Sequence, residues 1–277
     1  MDTVNEPGAN IAVETAKRKL DALRGEYAEL LAEYDELTNS VRRNLEAEYM
    51  MRIGRLEYRL FALQVRTRQL RREIALYQAA KNRGGTISAE EVGAIIAREF
   101  AEYQAALAEQ QEKIRKAEEH HFSPKLSSAD TEALRTLYHD MVRKLHPDLN
   151  RDLPEEAKQL WVRIVAAYKN CEWRELNILA DMVYDLLDGG KPAVGDSLNR
   201  MDQLGAEERR LVGKCSELRE HMRELQTHPP YTYRALLKDN NAVSAKRREL
   251  MDLLRGFEKH LAELTEIRDE LHGGQNA

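Results

Sequence analysis

Apolar residues recur every three or four positions along most of this chain, and that spacing admits little besides long helices packed side by side. Between Ile11 and Leu37 the pattern runs Leu20, Leu23, Tyr27, Leu30, Tyr34, Leu37, the seam of a coiled coil. It resumes from Val41 to Ala80 with Leu45, Tyr49, Ile53, Leu56, Leu60, Leu63, Leu70, Ile74 and Tyr77, and the four-residue steps at its start imply a stutter. Thr38-Asn39-Ser40 is the polar, cap-forming break between the two runs and predicts a turn; the alternative is one uninterrupted rod. Asn82-Arg83-Gly84-Gly85 ends the second run, as glycine past a last helical turn commonly does. The first run carries Glu14, Asp21, Glu26, Glu29, Glu33, Asp35 and Glu36. The second carries Arg42, Arg43, Arg52, Arg55, Arg59, Arg66, Arg68, Arg71 and Arg72. Residues 1–86 are therefore expected to form a helical hairpin with complementary arms. A phosphate-tracking strip for nucleic acid is the competing reading. A net charge of -5, and no aromatic or glycine-rich readout module beside the strip, weigh against it.

Ser88-Ala89-Glu90-Glu91 is a capping box that opens a third long helix, through Ile95, Phe100, Tyr103, Leu107 and Ile114 to Glu119, and makes 87–122 a connecting segment. Phe122-Ser123-Pro124-Lys125 breaks it. A distinct module follows over 123–188. Leu134, Leu137, Tyr138, Met141 and Leu145 share one helical face and leave Arg135, His139 and Arg143 on the other. That helix must stop at His146, because a residue before proline is pushed out of the α region and Pro147 has no amide hydrogen. Asp148 to Asp152 is then a loop, and Asp152 with Glu155 is expected to cap the next helix, with Pro154 in its first turn. Asp148 has no helix to cap, which leaves its charge in a loop where a partner can reach it. The next helix places Trp161, Ile164, Ala167, Tyr168 and Cys171 on one stripe. A further helix runs from Glu172 to Leu187 with Trp173, Leu176, Leu179, Met182, Val183 and Leu186 apolar.

The order Leu137-Tyr138-x-x-Met141-x-Arg143-Lys144-x-His146-Pro147-Asp148-x-Asn150, then Ala157-x-x-x-Trp161-x-x-Ile164-x-x-Ala167-Tyr168, resembles the second and third helices of a J-domain, as found in DnaJ-type co-chaperones. The likeness covers residues 127–172. Trp161 stands where that family typically has phenylalanine. The family's first helix, with its Tyr-x-x-Leu-Gly signature, is not visible, and the basic residues usual after the tyrosine are replaced by His139 and Asp140. The resemblance implies that the loop and the helix before it contact an acidic surface of a DnaK-type Hsp70 chaperone and stimulate its ATP hydrolysis. It assigns this contact to His146, Pro147, Asp148, Arg143, Lys144 and Arg135. Tyr138, Met141, Trp161, Ile164, Ala167 and Tyr168 read as the core that holds the two helices antiparallel. The missing first helix suggests that the 87–122 helix packs in its place.

Asp188-Gly189-Gly190-Lys191-Pro192 reads as a linker. Beyond it, Met201, Leu204, Leu211, Cys215, Leu218, Met222 and Leu225 form another seam. His228-Pro229-Pro230-Tyr231 forces a turn, and a return helix carries Leu250, Leu253, Phe257, Leu261, Leu264 and Leu271, so 189–277 is expected as an antiparallel helical hairpin. The fold class is all-α, with long arms flanking a small module. Charged residues make up 33% of the chain and aromatic ones 6%, which suits narrow seams better than one broad core.

No run approaches the roughly 18 apolar residues a membrane span needs, and Met1 to Asn10 is acidic rather than signal-like, so a cytoplasmic location is expected. Cys171 and Cys215 sit on apolar stripes and read as buried thiols in a reducing compartment. His120-His121 has no Cys, Asp or His at ligand spacing and reads as a solvated pair, so no metal or cofactor is expected. Neither His139 nor His146 has a nucleophile beside it in sequence, and the glycine doublets lie at helix ends, so the chain is not expected to be an enzyme. Two function classes remain. One is an Hsp70 co-chaperone whose arms bind a client or assembly. The other is a structural adaptor that carries a J-like helical pair and bridges partners, including as a homodimer through exposed seams.

Overall fold

The structure is a computed structural model that describes residues 7–122, 126–187 and 197–273. The described residues form helices and turns, with no strand. In chain order the helices are α1 (Pro7–Glu36), a π-helical segment (Leu37–Val41), α2 (Arg42–Tyr49), a second π segment (Met50–Gly54), α3 (Arg55–Asn82), α4 (Ala89–Glu99), α5 (Ala101–Phe122), α6 (Ser128–Leu145), α7 (Glu155–Lys169), α8 (Trp173–Leu187), α9 (Ser197–Gln226), α10 (Tyr233–Lys238) and α11 (Asn240–Gly273). They divide into two compact units, each built from two separate stretches of chain: Met1–Arg42 with Pro124–His228, and Arg43–Ser123 with Pro229–Ala277.

In the first unit α1 runs along α9 and also lies against α6, while α6, α7 and α8 pack mutually. The core draws Tyr27, Ala28 and Ala32 from α1, Tyr138, Met141, Val142 and Leu145 from α6, Ile164 from α7, Leu176, Leu179 and Val183 from α8, and Leu211 and Cys215 from α9. Glu26 on α1 and Arg219 on α9 form an ion pair beside the seam. In the second unit α3 runs along α11 and takes α4 and α5 on another side. Val65 and Tyr77 of α3 close on Val92 and Ile96 of α4 and on Phe100. Tyr49 stacks on Tyr233 with ring centroids 3.8 Å apart.

Each long seam is therefore covered by a helix distant in sequence, not by the two hairpins expected over 1–86 and 189–277. The expected turn at Thr38-Asn39-Ser40 is helical. Thr38 Oγ1 donates to the Tyr34 carbonyl (2.8 Å) and Asn39 Nδ2 to the Asp35 carbonyl (2.8 Å), so these polar side chains bond the preceding turn instead of capping a new one. The two π segments explain the stutter: each widened turn takes in an extra residue, so seam residues four apart, such as Leu45, Tyr49 and Ile53, stay on the buried side. Arg247 Nη1 of α11 donates to the Arg52 carbonyl in the second π segment (2.5 Å).

Other local readings divide. The Ser88 capping box is formed, with Glu91 N donating to Ser88 Oγ at 3.1 Å and Ser88 N to Glu91 Oε2 at 2.9 Å. Gly84 ends α3 at φ +68°, where the Gly85 amide reaches the Ala80 carbonyl at 3.1 Å. The third long helix is instead two, α4 and α5, separated at Phe100. On α11 the buried positions are Val243, Leu250 and Leu254, while Leu253 is exposed, because the seam steps by four after Leu250. Cys215 is buried, but Cys171 is exposed in the turn after α7 at φ +58°, where the Glu172 amide reaches back to the Ala167 carbonyl at 2.9 Å; both thiols are free. The readings at 123–125 and 188–192 lie outside the described residues.

Candidate functional site: the His-Pro-Asp loop

Helix α6 begins with Ser127, whose Oγ accepts the Asp130 amide at 3.1 Å, and ends where sequence places the stop: His146 leaves the helix at φ -63°, ψ 127°. The loop then closes on itself. Leu149 N and Asn150 N both donate to the His146 carbonyl (3.0 and 2.9 Å), and Asn150 Nδ2 donates to the Arg143 carbonyl at 2.9 Å. Leu149 is buried and anchors the loop from beneath, while Pro147 is exposed at its tip. At the far side α7 starts after Pro154, which sits at the N-cap with no side-chain cap, so the expected Asp152–Glu155 capping pair is replaced by a proline whose fixed φ leads into the helix.

Tyr138, Met141, Ile164, Ala167 and Tyr168 are buried beneath the loop, and Trp161 is half-buried. Tyr138 stacks on Tyr168 with centroids 3.8 Å apart and planes 5° from parallel, and Trp161 lies 6.0 Å from Tyr138 on the α7 side. These rings pin α7 to α6 and so fix the two ends of the loop. The Tyr138 hydroxyl donates to Asp35 on α1. It is therefore α1, and not the 87–122 helix, that lies against α6; α4 and α5 pack on α3 in the second unit.

The His146 ring meets Trp161 edge-on (centroids 5.4 Å, 75°) and Tyr27 of α1 likewise (6.3 Å, 88°). Its Nδ1 accepts the Asp148 amide at 3.2 Å, which leaves the ring neutral with its proton on Nε2. Burial pushes the imidazole's pKa down, more than the Asp148 and Asp35 charges push it up.

Asp148 was expected to reach an outside partner, but its carboxylate is held within the chain. Lys214 of α9 pairs with Oδ2, the Tyr27 hydroxyl donates to the same oxygen at 2.9 Å, and Arg210 Nη2 of α9 donates to the Asp148 backbone carbonyl at 2.7 Å. Burial alone would raise the carboxyl's pKa. The bonds from Lys214 and Tyr27, with the Lys214 charge, outweigh it and hold the group below the usual carboxylate range. Burial and the Asp148 contact push the Tyr27 phenol well above its ordinary value.

The three basic residues of α6 also have neighbours of their own. Arg135 pairs with Glu36 of α1 at 3.3 Å, Arg143 with Glu29 of α1 at 2.9 Å, and Lys144 with Asp140 at 3.8 Å while its ammonium lies 5.2 Å from the Tyr184 ring centroid. His139 sits between the two arginines. Its Nε2 is buried with no hydrogen-bond partner, and burial followed by the Arg135 charge depresses its pKa. A cleft of about 250 Å³ opens beside the loop, lined by Asp21, Arg24, Gly25, Arg143, Leu149 and Asn150.

Tyr27, Asp35, Arg210 and Lys214 are the site residues that sequence reading missed. Tyr27 shows in sequence only as a seam position, and Arg210 and Lys214 only as basic residues beside Leu211 and Cys215; nothing local ties them to Asp148. The arginine run of α3 is likewise engaged inside its unit: Arg72 with Glu99 (2.8 Å), Arg59 with Glu258 (3.4 Å), Arg66 with Glu73 (2.8 Å), and Arg55 with Glu118. Its carboxylate partners lie on α3, α4, α5 and α11, not on α1 as the hairpin reading expected. Among the described residues no group of three or more His, Cys, Asp or Glu side chains could hold a metal ion, and no helix is long and apolar enough to cross a membrane. The sequence matches no protein-family model and no curated protein, and the structure matches no solved structure.

Proposed function

We propose that the chain is a J-domain-like co-chaperone: it recruits a DnaK-type Hsp70 through the His146-Pro147-Asp148 loop and stimulates ATP hydrolysis by that partner, without an active site of its own. The observation that carries this reading is the helix pair α6 and α7, locked by the Tyr138–Tyr168 stack, with an ordered loop that carries an exposed Pro147 at its tip. Such a frame holds three recognition residues in one geometry at little entropic cost on binding. Arg135, Arg143 and Lys144 supply the positive face that would steer an acidic partner surface. Client or assembly contacts fall to the long helices outside α6–α8.

One observation favours the second reading, an adaptor in which the loop serves as an internal clamp: Asp148 is engaged by Tyr27 and Lys214. The two readings separate in a single-turnover ATPase assay of a DnaK-type Hsp70 with the wild-type chain or with His146→Gln, circular dichroism confirming that both are folded. The co-chaperone reading expects stimulation by the wild type that the variant loses. Equal rates with both proteins would leave the adaptor.

A further inference from the structure

We infer that α1 and α9 form an autoinhibitory latch on the His-Pro-Asp loop: Tyr27 and Lys214 hold the Asp148 carboxylate, Arg210 holds its carbonyl, and Glu29 and Glu36 hold Arg143 and Arg135. The inference rests on the co-chaperone reading. The face that would meet an acidic partner is taken by the chain's own helices, and it becomes available when they let go.

Three features support a latch over a permanent core contact. First, α1 offers the chemistry expected of the partner. Its carboxylates at Glu29 and Glu36 stand opposite two of the α6 residues assigned to recognition, while α9 supplies the cation that neutralises the loop aspartate. Second, the contacts are easily exchanged. Glu29 and Arg143 are both more than half exposed, and ion pairs in water are weak and replaceable by an equivalent pair with another molecule. Beneath them α6, α7 and α8 supply most of the aromatic and aliphatic core, through Tyr138, Met141, Leu145, Ile164, Tyr168, Leu176, Leu179 and Val183, and α1 and α9 add Tyr27, Ala28, Ala32, Leu211 and Cys215. Third, the seal is imperfect. His139 Nε2 on α6 and Arg24 Nε on α1 are both buried without a hydrogen-bond partner. A buried polar atom left unpaired opposes the closed state, and it regains water when α1 lifts.

Partner affinity of a latched protein is reduced by the fraction of molecules that are open, so weakening the latch raises apparent activity without altering the loop. The test uses the full chain in two independent variants, Tyr27→Phe with Lys214→Met, and Glu29→Lys with Glu36→Lys, each also combined with His146→Gln. The second pair lies outside the core, Glu29 being exposed and Glu36 half-buried, and keeps the assay decisive should the first unfold. Hydrogen exchange across residues 143–152 reads the latch without any partner, and single-turnover ATPase of a DnaK-type Hsp70 reads its consequence. We expect faster exchange in the loop with protection retained in α7 and α8. We also expect stimulation to rise about tenfold over wild type, a shift of about 1.4 kcal/mol, and to vanish with His146→Gln. Unchanged exchange in both variants overturns the latch. So does wild-type stimulation already equal to that of the variants, in which case the co-chaperone reading stands. A loop shown by exchange to be open, with no stimulation by any of the proteins, overturns the co-chaperone reading and the latch with it.

Discussion

The two units use the same material, long helices with a seam every three or four residues, in different ways. In the first, five helices converge on one core in which Tyr138, Met141, Leu145, Ile164, Leu176, Leu179, Val183 and Leu211 are fully buried, and the polar groups gather at one loop. In the second, α3 and α11 meet along one seam whose margins carry arginines: Arg59 with Glu258, Arg71 with His260, and Arg268 with Glu73. A broad core can hold a loop in one conformation, because rings and branched chains from several directions lock it. A seam with charged margins sets register and partner choice between two helices. The second unit does hold a cleft, of about 560 Å³ between α3 and α5, but arginines and glutamates line it and no locked loop borders it among the described residues, whereas the first unit frames the His-Pro-Asp loop.

Both tryptophans, Trp161 and Trp173, belong to the first unit, so selectively excited tryptophan fluorescence reports on it alone while circular dichroism reports on both, and the contrast can be tested. The largest effect is expected from Tyr138→Ala, which removes a fully buried ring and its stack on Tyr168; a loss of about 3–5 kcal/mol should appear in fluorescence-monitored denaturation. Leu70→Ala, at a fully buried position of α3, should cost about 2–4 kcal/mol in the transition seen by circular dichroism and leave the tryptophan signal in place. Identical shifts in both signals for either variant would mean that the two units unfold as one.

Acid should act on the first unit next. The fold holds His139 and His146 below their ordinary pKa, burial being the main cause, so the unfolded chain binds those protons more readily. Their contribution is fully present above the unfolded value of about 6.5 and is lost as pH falls from there through the lowered folded pKa of each ring. Asp148, depressed by Lys214 and Tyr27 against the effect of burial, adds a second loss as pH falls further, through its lowered folded pKa. A fluorescence-monitored midpoint that is flat across this range would contradict the packing described for both rings. The smallest effect is expected from Arg72→Met, which breaks an exposed pair with Glu99 and should leave the circular-dichroism midpoint within replicate scatter.

What was legible in the sequence was local. The stop at His146, the Ser88 box and the glycine end of α3 each depend on a few adjacent residues whose backbone preferences admit one outcome. The seams were legible as buried faces, and so were Tyr138, Ile164 and Tyr168 as core. Which helix covers which seam was not, because a repeat of three and four states that a face is buried without naming its partner. At Thr38 to Ser40 the same side chains can cap a turn or bond the turn before, and tertiary packing decides between them. The loop's own contacts were the least accessible: the Tyr27 bond to Asp148 spans 121 positions and the Lys214 bond 66. No local pattern carries information over that distance.

The division of each unit between two distant stretches of chain also orders events during synthesis. On the ribosome α1 emerges long before α9 exists to cover its seam, and α3 before α11. The nascent chain must carry open apolar stripes while α4 to α8 are still being made. The first unit can close once α9 has been released, and the second waits for α11. Loops of that length are slow to close, and unpaired stripes are prone to wrong partners while they wait. The acidic margin of α1 and the arginine-rich margin of α3 give these two early helices net charges of opposite sign, and net charge of either sign opposes aggregation.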